Sequence, residues 1–451
     1  MKEKINFRQY LTIASMLFGL FFGAGNLIFP ALMGQMAGRN VWPAIAGFLI
    51  TGVGLPLLGV IALGNSRCSG LTEMSQRVGK RYGVFFTCAL YLTIGPFFAI
   101  PRCATVPFAV GIEPLLSRSS GHTLPLAVFS LIFFGIVLYF SLRPGEILTW
   151  IGKVLNPLFL IFLGVLMITA LCRPLGSVGS ITPDTGYASG AFFNGFLEGY
   201  NTMDALAGLA FGIIVVNVIK GLGVRRPGDV ARCTVKAGLL SSVIMAVIYI
   251  IVTVAGTQSR GLSPLCKNGG EVLTFIARHY YGTAGAVILA LTVTFACLKT
   301  SIGLITSCSE TFVLLFPGKL SYRGWAITFS CLSFLIANLG LEMIIAYSLP
   351  VLMLLYPLAI TLILLCLLGR FFQNARCVYA CVTTFTFAAA LLDFIAALPE
   401  QLQKVLHTET LITAAGRFIP MFDLGLGWLL PAILGFITGS IIKTRNRYRK
   451  S

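Results

Sequence analysis

The sequence predicts an all-α, polytopic membrane protein with about 12 transmembrane helices. Of its 451 residues, 57% are hydrophobic and only 11% are charged, whereas an ordinary soluble protein carries roughly 25% charged residues. Long apolar stretches recur from residue 11 to residue 442, with short polar breaks between them. Because a spanning helix needs ~20 residues, about 12 of them use nearly the whole chain. We therefore expect residues 1–451 to form a single transmembrane domain.

The apolar stretches give the order of the spans. We predict them at residues 11–36, 41–65, 83–112, 122–141, 147–172, 190–219, 233–256, 283–307, 323–340, 343–368, 377–397 and 424–442. The first stretch is too long for a signal peptide and no small-residue cleavage site follows it, so we expect it to stay in the protein.

Basic residues are concentrated on one side of these spans. With the N-terminus inside, the inner segments hold 22 lysines and arginines and the outer segments hold 8. Cytoplasmic loops of membrane proteins are enriched in these residues, so both termini are predicted to be cytoplasmic. The same bias explains the net charge of +18 without nucleic-acid binding. The basic tail, residues 443–450, is expected to contact membrane lipid.

The first and sixth predicted spans contain residues that disfavour a helix. The first holds three closely spaced glycines, Asn26 and Pro30, and the sixth places Glu198 and Asp204 within one short polar stretch. An interior glycine weakens a helix by ~1 kcal/mol, and a charge near the bilayer centre costs at least ~2.5 kcal/mol. Paired interruptions at corresponding positions of two five-helix halves are typical of transporters built from inverted repeats.

The glycine spacing also allows a second interpretation. Gly19 with Gly23, and Gly195 with Gly199, have the GxxxG spacing of close helix–helix contacts. On that interpretation both spans would be continuous helices that pack through small residues. The two interpretations differ in whether the backbone is broken at mid-membrane.

Two further spans carry polar residues. In the third, Arg102 needs an anionic or carbonyl partner; Glu198 or Asp204 could supply it, or Arg102 could lie at the outer boundary and extend to water. In the eighth, Thr300 and Ser301 form a hydroxyl pair. Such hydroxyls suit a sodium ion, which prefers oxygen ligands, although in helices they more often bond to their own carbonyls.

Four long stretches resemble the bacterial branched-chain amino acid:cation symporters, the transport system II carriers. They are LFGLFFGAGNLIFP at 17–30, WPAIAGFLITGVGLPLLGVIAL at 42–63, YLTIGPFFAIPR at 91–102 and EGYNTMDALAGLAFG at 198–212. The resemblance covers essentially the whole chain. It implies import of leucine, isoleucine and valine across a bacterial inner membrane, with Na⁺ as the expected coupling ion.

The resemblance also implies a leucine-transporter-type 5+5 inverted repeat with unwound helices 1 and 6. The repeats would span about 11–172 and 190–368, with two accessory helices in about 377–442. The implied substrate site comprises Gly23, Ala24, Gly25, Asn26, Tyr200, Asn201, Thr202 and Asp204. The implied cation site uses carbonyls of Gly19, Phe22 and Cys297 with the hydroxyls of Thr300 and Ser301. Asn26 would hold the broken segment together or ligate a cation.

Lys299 is a departure from the family pattern, which has a small or hydroxyl residue there. Its ammonium could replace the ion, make the coupling proton-based, or face away, since adjacent helical positions differ by ~100° in direction. With Arg102 and Glu198 it completes the set of candidate charge partners. A proton-coupled transporter of other neutral amino acids is therefore the alternative function.

Enzymes and channels fit the sequence less well. The three histidines, His122, His279 and His407, lie in predicted outer loops, and there is no HExxH, DxxxD or P-loop pattern. No charged ring or repeated filter motif indicates a channel. No CxxC pair indicates a metal or redox site. We expect no cofactor besides the coupling ion, and no feature of the sequence indicates an oligomeric state.

Overall fold

The computed structural model describes residues 6–66, 68, 70–116, 123–143, 156–224 and 226–448, and this part of the chain contains no β-strand. In chain order the α-helices are α1 (Phe7–Phe21), α2 (Gly25–Ala37), α3 (Val41–Leu49), α4 (Leu55–Ser66), α5 (Leu71–Ser75), α6 (Lys80–Leu92), α7 (Ala99–Gly111), α8 (Thr123–Ser141), α9 (Asn156–Cys172), α10 (Thr185–Glu198), α11 (Asp204–Gly221), α12 (Pro227–Ser259), α13 (Gly269–Leu315), α14 (Tyr322–Ala337), α15 (Leu341–Leu368), α16 (Arg376–Ala396), α17 (Glu400–Val405), α18 (Glu409–Phe418) and α19 (Leu429–Tyr448).

Helices occupy the segments that the sequence predicts as spans. The first residues of the fifth predicted span, 147–155, lie outside the described residues, as do residue 122 and the end of the basic tail. Seven helical stretches among the described residues are long and apolar enough to cross a membrane, and two shorter apolar helices accompany them. The all-α membrane fold class is confirmed.

Some boundaries differ from the prediction where glycine changes the backbone. The last span begins at Leu429 rather than at residue 424, because Gly425 adopts a positive φ of 65° that ends the preceding turn. Helix α13 begins well before residue 283 and bends at Gly282, where φ is 59°. The predicted outer loop before the last span contains α17 and α18, which at six and ten residues are too short to cross a membrane and so are not predicted as spans.

The first and sixth spans are both broken. Helix α1 ends at Phe21, Phe22 is extended, and α2 begins at Gly25. Helix α10 is followed by the 3₁₀ turn Gly199–Thr202 and by Met203, whose φ of 61° is left-handed, before α11 begins. A non-glycine residue rarely adopts this conformation. The interpretation of these spans as continuous helices is therefore wrong.

Glycines nevertheless make close helix contacts, and Gly195, which belongs to one of the two GxxxG pairs, is among them. A Cβ atom added to Gly34 or Gly256 would overlap the backbone of the opposite helix of the α2–α12 pair. Gly47 and Gly195 make the same kind of contact between α3 and α10. Small residues let helix backbones approach closely in membranes. We call α2, α3, α10 and α12 the glycine-packed bundle.

Candidate functional site

The two broken spans enclose a small cavity. It measures about 40 Å³, roughly three times the ~10–15 Å³ that one water molecule needs. Its lining combines both breaks with α7 and α13: Leu20, Phe21, Gly23, Ala24, Gly25, Asn26, Ile94, Ala99, Arg102, Cys103, Thr202, Met203, Asp204, Ala207, Phe211, Thr300 and Leu304. Six of the eight proposed substrate residues and Thr300 thus lie around one space. An amino acid can enter only if this space widens.

Asn26 links the two breaks to each other. Its Oδ1 accepts a hydrogen bond from the Gly23 N–H at 2.7 Å, and its Nδ2 donates to Asp204 Oδ2 at 2.6 Å and to the Tyr249 hydroxyl. The Tyr249 hydroxyl donates to the same Asp204 oxygen at 2.8 Å. Asp204 is only 1% exposed. The hydrogen bonds of this triad of Asn26, Asp204 and Tyr249 join the break in the first span to the break in the sixth.

Tyr249 belongs to this triad, yet the sequence did not single it out. It lies in α12, within a long apolar run, where a tyrosine resembles any other large core residue. A buried tyrosine hydroxyl usually needs a hydrogen-bond partner. That requirement is the signal by which the sequence could have indicated a polar partner for Tyr249.

Arg102 is buried in the protein and does not extend to water. It is 3% exposed, its Nη1 donates to the Asn201 carbonyl at 2.7 Å, and its Nη2 donates to the Ser348 hydroxyl at 2.9 Å. The guanidinium also lies 5.0 Å from the centre of the Phe29 ring. Its Nε is buried without a hydrogen-bond partner among the described residues. The sequence predicts an anionic group or a carbonyl as the partner of Arg102, and the structure has a carbonyl, that of Asn201.

Glu198 and Asp204 therefore do not hydrogen-bond Arg102 directly. Asp204 accepts its hydrogen bonds from the triad, and Glu198 Oε2 accepts one from Asn201 Nδ2 at 3.3 Å. Asn201 thus connects Glu198 with Arg102, because its carbonyl accepts from the guanidinium.

Tyr200 and Asn201 lie beside the cavity but do not line it. The Tyr200 ring is fully buried and stacks on Tyr356 with ring centres 4.0 Å apart. Its hydroxyl is buried without a hydrogen-bond partner among the described residues. Tyr200 is therefore placed to connect the break in the sixth span with α15, which carries Tyr356.

Thr300 brings α13 against the first break. Its hydroxyl donates to the Phe22 carbonyl at 3.3 Å, and a Cβ on Gly23 would lie 3.1 Å from the same side chain. The Ser301 hydroxyl is buried and has no hydrogen-bond partner in the described part of the chain. Gly19 and Cys297 are buried on the same two helices. Three of the five proposed cation ligands thus supply oxygen atoms that are in contact or unsatisfied.

Lys299 points from α13 toward α1 and α9. Its Nζ lies 4.6 Å from the ring centre of Phe159 and 5.4 Å from that of Phe18. The side chain is fully buried. Ring faces attract an ammonium group, so the two phenylalanines stabilise its position.

The helix ends give the cavity its electrostatic character. The first N–H groups of α2 have no intrahelical acceptor and carry a partial positive charge, which suits a carboxylate. The last carbonyls of α1 and of the Gly199–Thr202 turn carry the opposite partial charge, which suits an ammonium group or a cation. Ile94, Phe211 and Leu304 add apolar surface to the lining. The arrangement can hold a zwitterion with an apolar side chain.

The chain is similar to known proteins over nearly its whole length. The model of a family described as branched-chain amino acid transport protein matches residues 6–446. The chain is 55% identical over 449 residues to the branched-chain amino acid permease BrnQ of Lactobacillus delbrueckii subsp. lactis, covering 99% of this chain and all of the relative. It is 43% identical to the BrnQ permease of Bacillus subtilis strain 168, covering 98% of each chain.

Among solved structures, the chain is similar to Mhp1, a transporter of the nucleobase-cation-symport-1 family, in a closed conformation with bromovinylhydantoin bound. The TM-score is 0.63 at 15% identity, with 97% of this chain and 92% of Mhp1 covered. At this identity the likeness concerns the fold.

Proposed function

The chain belongs to the family of branched-chain amino acid transport proteins, and from this premise we propose that it imports leucine, isoleucine and valine by sodium symport through alternating access. It is a transporter rather than an enzyme. We place it in a bacterial inner membrane with both termini in the cytoplasm, as the distribution of basic residues predicts.

The observation that carries this proposal is the meeting of the two helix breaks around one cavity. A zwitterion leaves water only if fixed dipoles replace its hydration shell. The N–H groups at the start of α2 and the peptide of Thr202, at the end of the Gly199–Thr202 turn, supply such dipoles. Arg102 lines the same cavity, and its Nε, which has no partner in the described part of the chain, is a second donor for a carboxylate.

The apolar part of the lining accounts for the proposed substrate range. Ile94, Phe211 and Leu304 offer no polar group to a side chain, so branched aliphatic side chains are favoured over polar ones. One methylene in such a pocket changes binding by only ~1–3 kcal/mol. Leucine, isoleucine and valine are therefore accepted together.

Sodium coupling is supported by the contact between α13 and the first break. The Phe22 carbonyl and the hydroxyls of Thr300 and Ser301 are buried oxygens at the junction of two helices. One Na⁺ moving inward contributes ~2.3 kcal/mol per 100 mV of membrane potential, and ~1.4 kcal/mol per tenfold concentration gradient. Together these support accumulation of ~100-fold or more.

Uptake into proteoliposomes tests the proposal. Radiolabelled leucine should accumulate under an inward sodium gradient, and excess valine or isoleucine should inhibit it. Liposomes without protein and a choline gradient are the controls. Equal uptake in sodium-free medium would exclude sodium coupling, and uptake driven there by a proton gradient would favour the proton-coupled alternative. Absence of leucine uptake under either gradient would exclude the substrate class.

A further inference from the structure

We propose that a second pocket, built around Arg77 and Arg370, binds a phosphate group, supplied by an anionic phospholipid. The pocket has a volume of about 470 Å³ and lies where the ends of α4 and α15 meet the segment between α5 and α6. It is remote in sequence from the breaks of the first and sixth spans. Its size is within the range of pockets that hold small ligands.

Arg77 is held in place on one side of this pocket. Its Nη1 donates to Asn374 Oδ1 at 3.1 Å and to the Tyr379 hydroxyl at 3.2 Å, and its Nη2 donates to the Ser66 carbonyl at 2.8 Å. Two sulfur atoms complete its contacts, Cys366 Sγ at 4.0 Å from Nη1 and Cys68 Sγ at 3.7 Å from Nη2, and none of these five acceptors is a carboxylate. They fix the orientation of the guanidinium but do not neutralise its charge. A fixed arginine loses little further freedom when it binds an anion.

Arg370 adds a second positive charge to the same pocket. Its side chain is exposed, and it follows the last turn of α15. No aspartate or glutamate is among the described residues that line the pocket. Two guanidinium groups around one space repel each other unless an anion lies between them. Arginine matches the geometry of phosphate oxygens, to which it donates paired hydrogen bonds.

The surroundings favour a lipid as the source of the phosphate. Phe371 follows Arg370 in the chain and is 84% exposed. Helix α15 also lines an apolar groove of about 260 Å³ with α16 and α19, through residues such as Leu365 and Leu368. Leu365 and Leu368 flank Cys366 and Leu367 in the sequence, and Cys366 and Leu367 line the phosphate pocket. A headgroup pocket and an apolar groove therefore flank the same turn of α15.

The position of the pocket in the molecule also favours an anionic phospholipid. The pocket lies at the face of the molecule where we predict the cytoplasm, and the inner leaflet carries anionic headgroups. Basic pockets between transmembrane helices on that side bind such headgroups.

The test is a titration of the purified full-length protein in a neutral detergent, with its thermal midpoint as the readout. One arm adds short-chain phosphatidylglycerol, a second adds potassium phosphate at constant ionic strength, and a third adds short-chain phosphatidylcholine. The variants are Arg370→Gln and, as matched control, Arg323→Gln. Arg323 is exposed at the start of α14 on the same face and does not line the pocket. Arg370→Gln removes an exposed group, so the fold should persist.

Saturable stabilisation by phosphatidylglycerol, with roughly tenfold weaker apparent affinity in Arg370→Gln and no change in Arg323→Gln, supports the proposal. The same pattern with inorganic phosphate alone would support the site but assign it to a free anion. An equal loss of apparent affinity in both variants would overturn the proposal, because the lipid would then bind only through the overall positive charge of that face. Stabilisation by phosphatidylcholine to the same extent would also overturn it. None of these readouts requires transport activity.

Discussion

Replacing Tyr249 with phenylalanine should reduce transport far more than it reduces stability. The change removes the hydroxyl that donates to Asp204 at 2.8 Å and accepts from Asn26, while the ring keeps its packing. The hydroxyl makes two hydrogen bonds of ~0.5–1.5 kcal/mol each, so the change removes ~1–3 kcal/mol in total. If the triad sets the relative position of the two breaks, Vmax/KM for leucine should fall by about 5- to 150-fold at ~1.4 kcal/mol per tenfold.

The assay is the initial rate of leucine uptake into proteoliposomes at several leucine concentrations under a saturating sodium gradient. Tyr91→Phe is the matched control, because Tyr91 is also buried and its hydroxyl donates to the Ala210 carbonyl at 3.1 Å, away from the cavity. Tyr91→Phe should lower the free energy of unfolding by ~0.5–1.5 kcal/mol and leave Vmax/KM nearly unchanged. If Tyr249→Phe keeps the wild-type Vmax/KM, or falls only as far as Tyr91→Phe, the triad does not organise the site.

Other substitutions test other parts of the structure. Replacing both Thr300 and Ser301 with alanine should raise the sodium concentration for half-maximal uptake by roughly tenfold, since two oxygen ligands are lost; an unchanged sodium dependence would place the cation elsewhere. Lys299→Gln should keep sodium-driven uptake, because the Lys299 ammonium lies over the Phe18 and Phe159 rings and does not line the cavity; loss of sodium-driven uptake would show that the ammonium takes part in coupling. Gly195→Ala should abolish the folded, monodisperse protein in size-exclusion chromatography, because the added methyl group overlaps the α3 backbone. Gly179→Ala is its control and should fold normally, because no atom of the described residues lies within 4 Å of the added methyl group.

The breaks in the first and sixth spans could be predicted from the sequence because their residues act locally. Glycine, asparagine and charged residues weaken a helix at their own position, whatever surrounds them. The Gly23–Gly25 break and the Glu198–Asp204 segment therefore show in the sequence alone. The order of the spans follows for the same reason, since apolar length is a local property.

The partners of the charged residues could not be predicted, because they depend on contacts between distant segments. Arg102 bonds to Ser348, 246 positions further along the chain, on a span that carries no other sign of function. Side-chain direction is equally hidden: Tyr200 and Thr202 are two residues apart, yet only Thr202 lines the cavity. The direction of each side chain in the turn is set by Met203 and by packing on Tyr356.

The glycine-packed bundle determines which parts of the molecule can deform. Where two helix backbones are in contact with no side chain between them, there is no free space in which one helix could slide past the other. The α2–α12 pair and the α3–α10 pair should therefore each tilt as a stiff unit, and the bending should fall on the uncoiled residues 22–24 and 199–203. The hinges then include peptide units of the proposed substrate site, so a bound substrate should directly affect how easily the two pairs move.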